Sequence, residues 1–463
     1  MSGRRQVFAR SVRLPVSAAE AFAWHERPGA FLRLTPPWAR VELESHVGGL
    51  RDGAVVKLRA KAGPVWTRWE VEHRDYAAGK LFRDVARKSP FAHWDHRHEF
   101  VDTPDGGCEL TDRIEYELPG GVAGELVGGA FTRRKLAAMF AYRHAVTAAD
   151  LAFAREHAGA PRLRVLVSGA SGLIGRALVP FLTTQGHHVV RLVRGPACGP
   201  DEARWDPETG VVELEAAGEI DAVVHLAGAG IADARWTPAR RRVLRDSRVR
   251  GTRVLAEALA ARARSPRVVI GGSAIGYYGD TGDGWADETS GCGAGFLAEL
   301  TRDWEAAWAP LDASGARRVY LRTGVVLSPA GGALAKLLPP FSLGLGGPVG
   351  SGRQWMSLIA IDDILGAICH ALVDTRVRGP LNAVAPEPVT SAEFARVLGS
   401  VLGRPAVLPA PAWALRAALG RGLADEALLS SQRVRPAALA AAGYRFRYEN
   451  TETALRHVLG RVC

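Results

Sequence analysis

Residues 164–175 read R-V-L-V-S-G-A-S-G-L-I-G, and the helical pattern R-A-L-V-P-F-L-T-T-Q-G follows directly. This stretch predicts a β-strand, a turn at Gly169, Gly172 and Gly175, and an α-helix. In such a unit the first glycine permits a tight turn, the second lets the backbone approach a pyrophosphate, and the third lets helix pack on strand. A phosphate there would lie at the helix N-terminus, where free N–H groups favour an anion. We therefore expect a nucleotide cofactor at this turn, and an ordinary βα turn is the alternative.

Apolar strand patterns alternate with helical patterns from this unit to about residue 375. The strands are of the buried parallel type and read R-V-L-V-S-G-A, H-H-V-V-R-L-V-R, A-V-V-H-L-A-G, R-V-V-I-G-G-S-A and R-R-V-Y-L-R-T-G-V-V-L. The alternation predicts an α/β fold with a Rossmann-type doubly wound parallel sheet. From Asn382 onward the pattern is mainly helical and ends in Y-R-F-R-Y, a short strand pattern at residues 444–448. We expect a small C-terminal domain there.

The first 157 residues have a different pattern, which predicts an α+β domain. Strand patterns enclose a helical stretch at residues 17–34, and a long helical pattern covers residues 129–157. The apolar stripe of this long helix consists of Phe131, Leu136, Met139, Phe140, Val146 and Leu151. A break at residues 159–161, G-A-P, suits a domain junction. We therefore expect domains at residues 1–158, 162–378 and 379–463, and the length of 463 residues also suggests about three.

The composition excludes several classes of protein. A hydrophobic content of 47% with 23% charged residues is typical of a globular protein rather than a disordered one. No signal-peptide pattern follows M-S-G-R-R-Q, and no run of about 18 apolar residues occurs, so we expect a cytoplasmic protein without a membrane span. The net charge of +11 comes almost wholly from arginine and has no basic stripe, so no nucleic-acid partner is predicted. The cysteines lack metal-ligand spacing and are expected to be reduced, namely Cys108, Cys198, Cys292, Cys369 and Cys463.

The end of the second strand of the α/β segment predicts which dinucleotide binds. An NAD-selective site carries an acidic residue there, which accepts the ribose 2′-OH. This chain has Val193 and Arg194 instead. Because the planar guanidinium of arginine binds phosphate with two parallel hydrogen bonds, Arg194 favours the 2′-phosphate of NADP. A solvated arginine without a ligand is the alternative.

Six motifs in order resemble the extended-type short-chain dehydrogenase/reductase superfamily. They are G-A-S-G-L-I-G-R, H-L-A-G-A-G-I, S-R-V-R-G-T, G-G-S-A-I-G-Y-Y-G-D, R-T-G-V-V-L and G-L-G-G-P-V-G-S-G-R-Q. Over residues 162–460 the chain is similar to the atypical branch of that superfamily, which is called the epimerase family or NAD-dependent epimerase/dehydratase and ends in a small domain of unknown function. The order of elements in residues 1–157, with the segment P-F-A-H-W-D-H-R-H-E-F, resembles the helix-grip fold of the polyketide cyclase and START-like (SRPBCC) superfamily. Proteins of that superfamily often enclose an apolar ligand cavity.

The resemblance implies roles for the cofactor-binding residues. It assigns NADP to the glycine turn, with Leu226 and Ala227 near the ribose and Arg248 in place of the asparagine of N-x-x-G-T. A charge on a helix surface is the alternative for Arg248. The implied cofactor-binding set is Gly169, Ser171, Gly172, Leu173, Ile174, Gly175, Val193, Arg194, Leu226, Ala227, Arg248 and Val326.

The resemblance also implies a serine at the active site, but this chain lacks the residues that usually supply the acid. Ser273 matches the serine that ends the fifth strand and bonds the substrate carbonyl or hydroxyl. Superfamily enzymes add a Tyr-x-x-x-Lys pair, in which lysine lowers the pKa of the tyrosine. Here Phe296 and Leu300 replace that pair, which argues against ordinary dehydrogenase or epimerase chemistry. Tyr277 and Tyr278 remain as candidate acids, and a structural role for each is the alternative.

A glycine-rich stretch near residue 350 is the candidate substrate loop. F-S-L-G-L-G-G-P-V-G-S-G-R-Q-W lacks the lysine and the following helix of a P-loop. The resemblance implies that Arg353 and Gln354 bind an anionic or polyol group of the substrate there. Further along the chain, Asp362 is expected to cap the helix I-L-G-A-I-C-H-A-L.

Histidines on one strand of the N-terminal domain raise the question of a metal site. His96 and His98 alternate with Trp94 on one strand face, and His93 points elsewhere. Two histidines lack a third ligand of clear spacing, so the pattern favours a strand face that lines a pocket, and no metal site is predicted.

These observations predict an NADP-binding oxidoreductase-like or epimerase-like protein that acts on an unknown small molecule. Three alternatives stay open. In the first, the chain is a full sugar-nucleotide or carbonyl epimerase/reductase. In the second, it is a non-catalytic NADPH sensor whose cofactor changes the START-like domain. In the third, its N-terminal domain presents an apolar ligand to the nicotinamide. The substrate and the oligomeric state are not predicted.

Overall fold

The computed structural model describes residues 5–461, so the prediction for Cys463 lies outside the described residues. The chain divides into two compact units. Within the described residues, the first unit holds residues 5–159, 183–186 and 459–461, and the second holds residues 160–182 and 187–458. The three-domain division therefore stays a prediction.

The first unit contains one antiparallel sheet of seven strands. The strands are β1 (Gln6–Leu14), β2 (Val41–Val47), β3 (Val55–Ala62), β4 (Val65–Ala77), β5 (Leu81–Lys88), β6 (His93–Asp102) and β7 (Cys108–Glu117). The helices are α1 (Ala18–Glu26), α2 (Ala30–Arg33) and α3 (Gly121–Glu156). The strands lie in the order β1-β7-β6-β5-β4-β3-β2, and the long α3 follows the last strand. This element order confirms the expected helix-grip fold.

Helix α1 begins where a local signal places it. The Ser17 hydroxyl accepts a hydrogen bond from the Glu20 N–H (3.3 Å), and the Glu20 carboxylate accepts one from the Ser17 N–H (3.2 Å), which is a capping box. The predicted helical stretch at residues 17–34 forms two helices because Gly29 adopts φ 92° between them.

Helix α3 begins at residue 121 rather than at the predicted residue 129. Its predicted apolar stripe is buried at Leu136, Phe140, Val146 and Leu151, whereas the Phe131 side chain near its start is 57% exposed. Leu136 and Phe140 pack in one apolar cluster with residues of β7, so this half of the helix covers the sheet.

The second unit contains a large, mainly parallel sheet. The strands of the whole unit, some of which form two smaller sheets, are β8 (Arg164–Ser168), β9 (His188–Val193), β10 (Glu202–Asp206), β11 (Val211–Glu213), β12 (Ala222–His225), β13 (Val268–Ala274), β14 (Arg317–Thr323), β15 (Val325–Leu327), β16 (Trp355–Met356), β17 (Leu358–Ala360), β18 (Gly379–Ala383) and β19 (Val389–Thr390). Its helices are α4 (Leu173–Thr184), α5 (Pro238–Arg245), α6 (Gly251–Ala260), α7 (Phe296–Ala306), α8 (Gly332–Ser342), α9 (Ile361–Val373), α10 (Ser391–Leu402), α11 (Ala412–Leu419), α12 (Arg421–Ala424), α13 (Ala437–Ala441) and α14 (Thr451–Val458). The π-helical turn Asp246–Arg250 lies between α5 and α6, and the 3₁₀ turn Ile275–Tyr278 directly follows β13.

The strand order places a binding crevice at β8. The large sheet runs β11-β10-β9-β8-β12-β13-β14-β18, and every neighbouring pair is parallel except β10 and β11. The chain moves outward from β8 through β9 to β10, then returns to β12 on the other side of β8. Ligands of doubly wound sheets bind at the carboxyl ends of the strands where the order reverses. The predicted Rossmann-type sheet is confirmed, and its switch point lies between β8 and β12.

Two features of the sheet were not predicted. The fifth predicted strand run divides at Gly324 into β14 and β15, and β15 pairs with β17 outside the large sheet. Strand β18 (Gly379–Ala383) pairs with β14, so the large sheet continues past the predicted domain boundary at residue 378.

The strand predicted at residues 444–448 is wrong. Its backbone N–H groups bond a side chain instead of another strand: those of Arg447 and Tyr448 donate to the Asp363 carboxylate at 2.6 and 3.1 Å. The predicted cap at Asp362 is also wrong. Ala360 is the N-cap of α9, and Asp362 lies in the first turn, where its Oδ2 bonds His457 Nε2 at 2.8 Å.

A helix that crosses a membrane needs about 20 mostly apolar residues. Within residues 5–461 no helix has both the length and the apolar character needed to cross a bilayer.

Candidate cofactor and active site

The glycine turn after β8 has the geometry that its sequence predicts. Gly169 adopts φ 71°, and a Cβ on it would lie 2.8 Å from the carbonyl carbon of Leu226. The N–H of Gly172 donates to the Gly169 carbonyl at 2.9 Å and closes the turn. A Cβ on Gly175 would overlap the same carbonyl oxygen, because α4 packs directly on the turn. Only glycine fits the first and third positions.

The turn leaves main-chain N–H groups available for an anion. Ser171 and Gly172 are exposed, and Leu173 and Ile174, which open α4, are half-buried. The first N–H groups of an α-helix have no partner within the helix, and the helix dipole adds positive potential there. The start of α4 therefore has the electrostatic character that suits an anionic group.

A hydrogen bond between side chains joins the ends of β8 and β12. The Ser168 hydroxyl and His225 Nδ1 lie 2.7 Å apart, and the N–H of Leu226 donates to the same hydroxyl oxygen at 3.2 Å. Burial lowers the pKa of His225 to about 3, so the imidazole is neutral. This contact holds Leu226 and Ala227, both half-buried, beside the glycine turn.

Val193 is the last residue of β9, and Arg194 directly follows it. Val193 is half-buried and Arg194 is exposed. Among the described residues, the Arg194 guanidinium forms no ion pair, whereas Arg191 on the same strand pairs with Glu202 at 2.8 Å. Arg194 is therefore available to an anion.

Arg248 is buried beside the end of β12, and no carboxylate within residues 5–461 pairs with it. A Cβ on Gly228 would lie 3.3 Å from the Arg248 guanidinium carbon, which places the cation against the chain just after Ala227. One N–H donates to the Leu244 carbonyl at 3.3 Å, and the guanidinium carbon lies 5.1 Å from the centre of the Trp304 ring. Burial, followed by repulsion from Arg240, lowers the pKa of Arg248 to about 10.

Val326 lies close to a turn that contacts Leu173 at the start of α4. It is buried in β15, and the carbonyl of Val326 faces the turn at residues 331–332 that opens α8. A Cβ on Gly331 or Gly332 would lie 3.2 Å from the Leu173 side chain. The structure thus brings Val326 and the glycine turn to one region.

Ser273 belongs to a buried network with two charged residues that the sequence reasoning missed. Its hydroxyl donates to Glu305 Oε1 at 2.5 Å. Arg322 holds both oxygens of the same carboxylate, each at 2.8 Å. The sequence patterns gave no role to Glu305, and Arg322 stood within an apolar strand pattern. A charged residue inside a buried strand pattern is the signal that could have identified Arg322.

The two candidate tyrosines differ in their contacts. The Tyr278 hydroxyl donates to Asn382 Oδ1 at 2.8 Å and accepts from Arg322 at 3.0 Å. Burial raises the pKa of Tyr278 above its usual value, and Arg322 offsets part of this rise. Tyr277 is half-buried, its ring centre lies 3.5 Å from the Arg322 guanidinium carbon, and its hydroxyl makes no hydrogen bond within residues 5–461. Tyr278 is therefore engaged, and Tyr277 has the free phenol.

Phe296 and Leu300, which replace the tyrosine and lysine, serve packing. The Phe296 ring contacts Trp236 with ring centres 5.3 Å apart, and the Arg241 guanidinium carbon lies 4.9 Å from its centre. Leu300 is buried in α7. Neither side chain carries an ionisable group.

The two predicted substrate residues have different environments. Gln354 is buried and donates its amide hydrogens to the carbonyls of Val349 (2.9 Å) and Leu428 (3.1 Å), so only its amide oxygen remains available. Arg353 is exposed, and its guanidinium forms no ion pair in the described part of the chain. Their predicted contacts with substrate stay predictions.

The histidines of β6 do have an acidic neighbour that sequence spacing could not reveal. Asp84, on the adjacent strand β5, lies within ligand distance of both His96 and His98. Burial, followed by repulsion from His98, lowers the pKa of His96 to about 4. Burial also disfavours the charge on His98, but Asp112 and then Asp84 outweigh it and raise the pKa to about 9.

Three family profiles match separate stretches of this chain. Residues 5–145 match the family described as "Polyketide cyclase / dehydrase and lipid transport". Residues 165–382 match the "NAD dependent epimerase/dehydratase family", and residues 410–458 match a "Domain of unknown function (DUF1731)". The resemblances expected from the motifs are confirmed.

Similar proteins occur in bacteria and animals. The epimerase family protein Mb2239 of Mycobacterium bovis is 45% identical over 297 residues, which cover 64% of this chain and 98% of the relative. The epimerase family protein SDR39U1 of Homo sapiens is 39% identical over 302 residues, covering 64% of this chain and all of the relative.

Two solved structures extend this similarity. A nucleoside-diphosphate sugar epimerase from Corynebacterium glutamicum superposes with a TM-score of 0.82 at 35% identity, and the match covers 98% of this chain and 90% of that one. Human SDR39U1 with NADPH superposes with a TM-score of 0.60 at 37% identity, covering 64% of this chain and 99% of that one.

The glycine turn generates a prediction about stability. Gly169→Ala should lower the free energy of unfolding of the second unit by about 2 kcal/mol or more, because a Cβ is disfavoured at positive φ and would press on the backbone of Leu226. Gly159→Ala is the control, since a Cβ there meets no atom within 4 Å. Scanning calorimetry measures both, and an equal transition midpoint for the two variants would contradict the packing described.

Proposed function

This chain belongs to the epimerase family, the NAD dependent epimerase/dehydratase family, and we propose on that premise that it is an NADP(H)-binding oxidoreductase acting on a small molecule. The observation that carries the proposal is the Gly169 turn at the reversal of strand order, with Arg194 exposed after the next strand. The human relative whose structure contains NADPH supports the choice of cofactor.

The cofactor contacts that we propose follow from charge and position. Ser171, Gly172, Leu173, Ile174 and Gly175 surround the pyrophosphate, whose charge meets the start of α4. Arg194 binds the 2′-phosphate, with Val193 beside the adenosine, and Leu226 and Ala227 lie along the ribose. Arg248 is the second cation, and its burial without a carboxylate favours an anionic or strongly polar partner. Val326 contributes apolar surface.

The chemistry that we propose needs one proton path in addition to the cofactor. A bound nicotinamide supplies or accepts the hydride. Ser273 already donates its proton to Glu305, so its oxygen has lone pairs that can accept a hydrogen bond from a substrate hydroxyl. Arg322 holds Glu305 in place. Tyr277, with its free phenol, is the candidate acid, and Tyr278 is a positioning residue because Asn382 and Arg322 occupy its hydroxyl.

The substrate side of the proposal stays general. Arg353 offers a cation to an anionic substrate, and Gln354 offers its amide oxygen. A full sugar-nucleotide epimerase is the rival reading, and the name of the Corynebacterium glutamicum relative favours it. The absence of an ionisable group at Phe296 and Leu300 argues against it.

A non-catalytic role is the second candidate function. Phe296, Leu300 and the engaged hydroxyl of Tyr278 favour a protein that binds NADPH without turnover and signals through its START-like domain. The N-terminal domain would then bind its own small molecule, which the resemblance suggests is apolar. We also retain the cytoplasm and the three domains at residues 1–158, 162–378 and 379–463 as proposals.

Cofactor selectivity tests the first part of the proposal. Arg194→Ala should weaken NADPH binding by about 10-fold to 100-fold and leave NADH binding nearly unchanged, because a charge-assisted bond to phosphate contributes about 1.5–3 kcal/mol. Fluorescence titration of the purified full chain measures both constants. Arg378→Ala is the control, since Arg378 precedes the amino end of β18, opposite the proposed site. Equal loss of NADPH and NADH affinity, or a wild type that prefers NADH, would reject the assignment.

Hydride transfer separates the enzyme from the sensor. The chain is incubated with NADPH deuterated at the nicotinamide C4 and a small-molecule cell extract, and mass spectrometry identifies any compound that acquires deuterium. We expect at least one such compound, with a rate about 100-fold lower for Ser273→Ala and unchanged for the exposed Ser400→Ala. Tight NADPH binding without any labelled compound would favour the non-catalytic role.

A further inference from the structure

The sheet face of the N-terminal unit buries a group of histidines and aspartates. Four histidines, each at least nine-tenths buried, surround two carboxylates there, and they come from four strands and one helix: His73, His96, His98, His144, Asp84 and Asp112. The proposed oxidoreductase chemistry uses none of them. From their geometry we infer that Asp84, His96 and His98 form a binding site for one divalent transition-metal ion of the zinc class.

The three ligand atoms already lie at the spacing of a metal site. Asp84 Oδ2 lies 3.4 Å from His98 Nε2 and 3.9 Å from His96 Nδ1, and all three ligand atoms lie within 4.8 Å of one another. Two ligands at tetrahedral angles, each about 2.0–2.1 Å from zinc, are about 3.4 Å apart. The Asp84–His98 contact is a long hydrogen bond and the Asp84–His96 distance exceeds hydrogen-bond range, so an ion between the three atoms would replace only one weak direct bond.

Asp112 orients both histidines for this role. Its Oδ1 accepts from His96 Nε2 at 2.9 Å and from His98 Nδ1 at 2.7 Å. His96 is neutral and donates through Nε2, so its Nδ1 carries a lone pair. His98 Nε2 carries a proton in the absence of metal, and a metal ion binds there by displacing that proton. His144 Nε2 holds the second oxygen of Asp112 at 2.6 Å. A carboxylate behind each metal-binding histidine is the usual support of such sites.

The charge of the cluster suits a cation that replaces a proton. Asp84 and Asp112 place two carboxylates in a mostly buried environment, where unpaired charges are costly. Burial lowers the pKa of Arg143 and both carboxylates partly offset this, while the Arg143 Nε donates to the Leu34 carbonyl at 3.3 Å. A bound M²⁺ that displaces the His98 proton would take over the role of that proton beside the two carboxylates.

His73 and an aromatic wall define the rest of the site. His73 Nδ1 lies 2.7 Å from Asp84 Oδ1, although the two atoms are not aligned as a hydrogen bond, and its Nε2 is buried with no partner in the described chain. The Phe82 ring stacks on His98 with ring centres 4.1 Å apart. Three protein ligands leave a coordination position open for water or for an oxygen of a small-molecule ligand.

The donor set selects the class of metal. Two imidazole nitrogens and one carboxylate oxygen suit zinc, iron(II), cobalt(II) and nickel(II), whereas magnesium and calcium prefer sites made wholly of oxygen. Zinc and cobalt(II) are therefore the probes, and magnesium is the metal that should not bind.

Metal binding to the full-length chain tests the inference. Protein stripped with a chelator is titrated with Zn²⁺ by calorimetry, and cobalt(II) is followed by its visible absorption. We expect one Zn²⁺ per chain, no heat with Mg²⁺, and a cobalt spectrum without thiolate bands. Alkylation of the exposed Cys198 and Cys292 beforehand excludes surface thiols as ligands.

Variants locate the ion. His98→Gln and Asp84→Asn should each lower Zn²⁺ affinity at least 100-fold, and Asp112→Asn should lower it about 10-fold to 100-fold. His93→Gln, on the other face of β6, is the matched control and should bind Zn²⁺ like the wild type. Zn²⁺ should also raise the unfolding temperature of the wild type and of His93→Gln only.

Two outcomes would overturn the inference. One is a wild type that binds no Zn²⁺, which would leave the cluster as a structural ion network. The other is equal Zn²⁺ affinity in the wild type, His98→Gln and Asp84→Asn. Circular dichroism of each stripped variant shows whether it is folded, and Asp84→Asn serves as the isosteric variant if His98→Gln is unfolded. NADPH titration of the same samples is independent of either result.

Discussion

The close approach of two backbones at Gly169 and Leu226 is the constraint on which the second unit depends. A side chain at residue 169 would separate the ends of β8 and β12, and the crevice between them exists only while both ends converge. A buried hydrogen bond between the side chains of Ser168 and His225 holds the two strand ends together. The candidate cofactor site thus depends first on the short distance between these two backbones and only then on the side chains around it.

Sequence patterns predicted the strands and turns whose conformation depends on their own residues. The five apolar runs became strands, and the glycine turn lies at the reversal of strand order, because continuous burial and positive φ are visible in the residues themselves. Strand β18 and residues 444–448 were misread because their partners are distant in sequence. β18 pairs with β14, while the N–H groups of Arg447 and Tyr448 bond Asp363.

The candidate active site shows the same limit at the level of side chains. Ser273 and the tyrosines could be found by motif, but their protonation roles depend on Glu305 and Arg322, which come from α7 and β14. No spacing rule connects these positions. The contacts of Arg322 distinguish Tyr278, whose hydroxyl is engaged, from Tyr277, whose ring it covers. In the N-terminal unit, Asp84 and Asp112 became visible beside the histidines only through strand pairing.

One carboxylate, Asp112, serves three imidazoles through two oxygens. Substituting any one partner changes the bonds of the other two, so the effects of single and double substitutions in this group will not add. Evolutionary change at these positions is therefore epistatic. Related chains are expected to keep the whole set together or to replace it together with apolar residues, and a half-exchanged set would be the least stable combination.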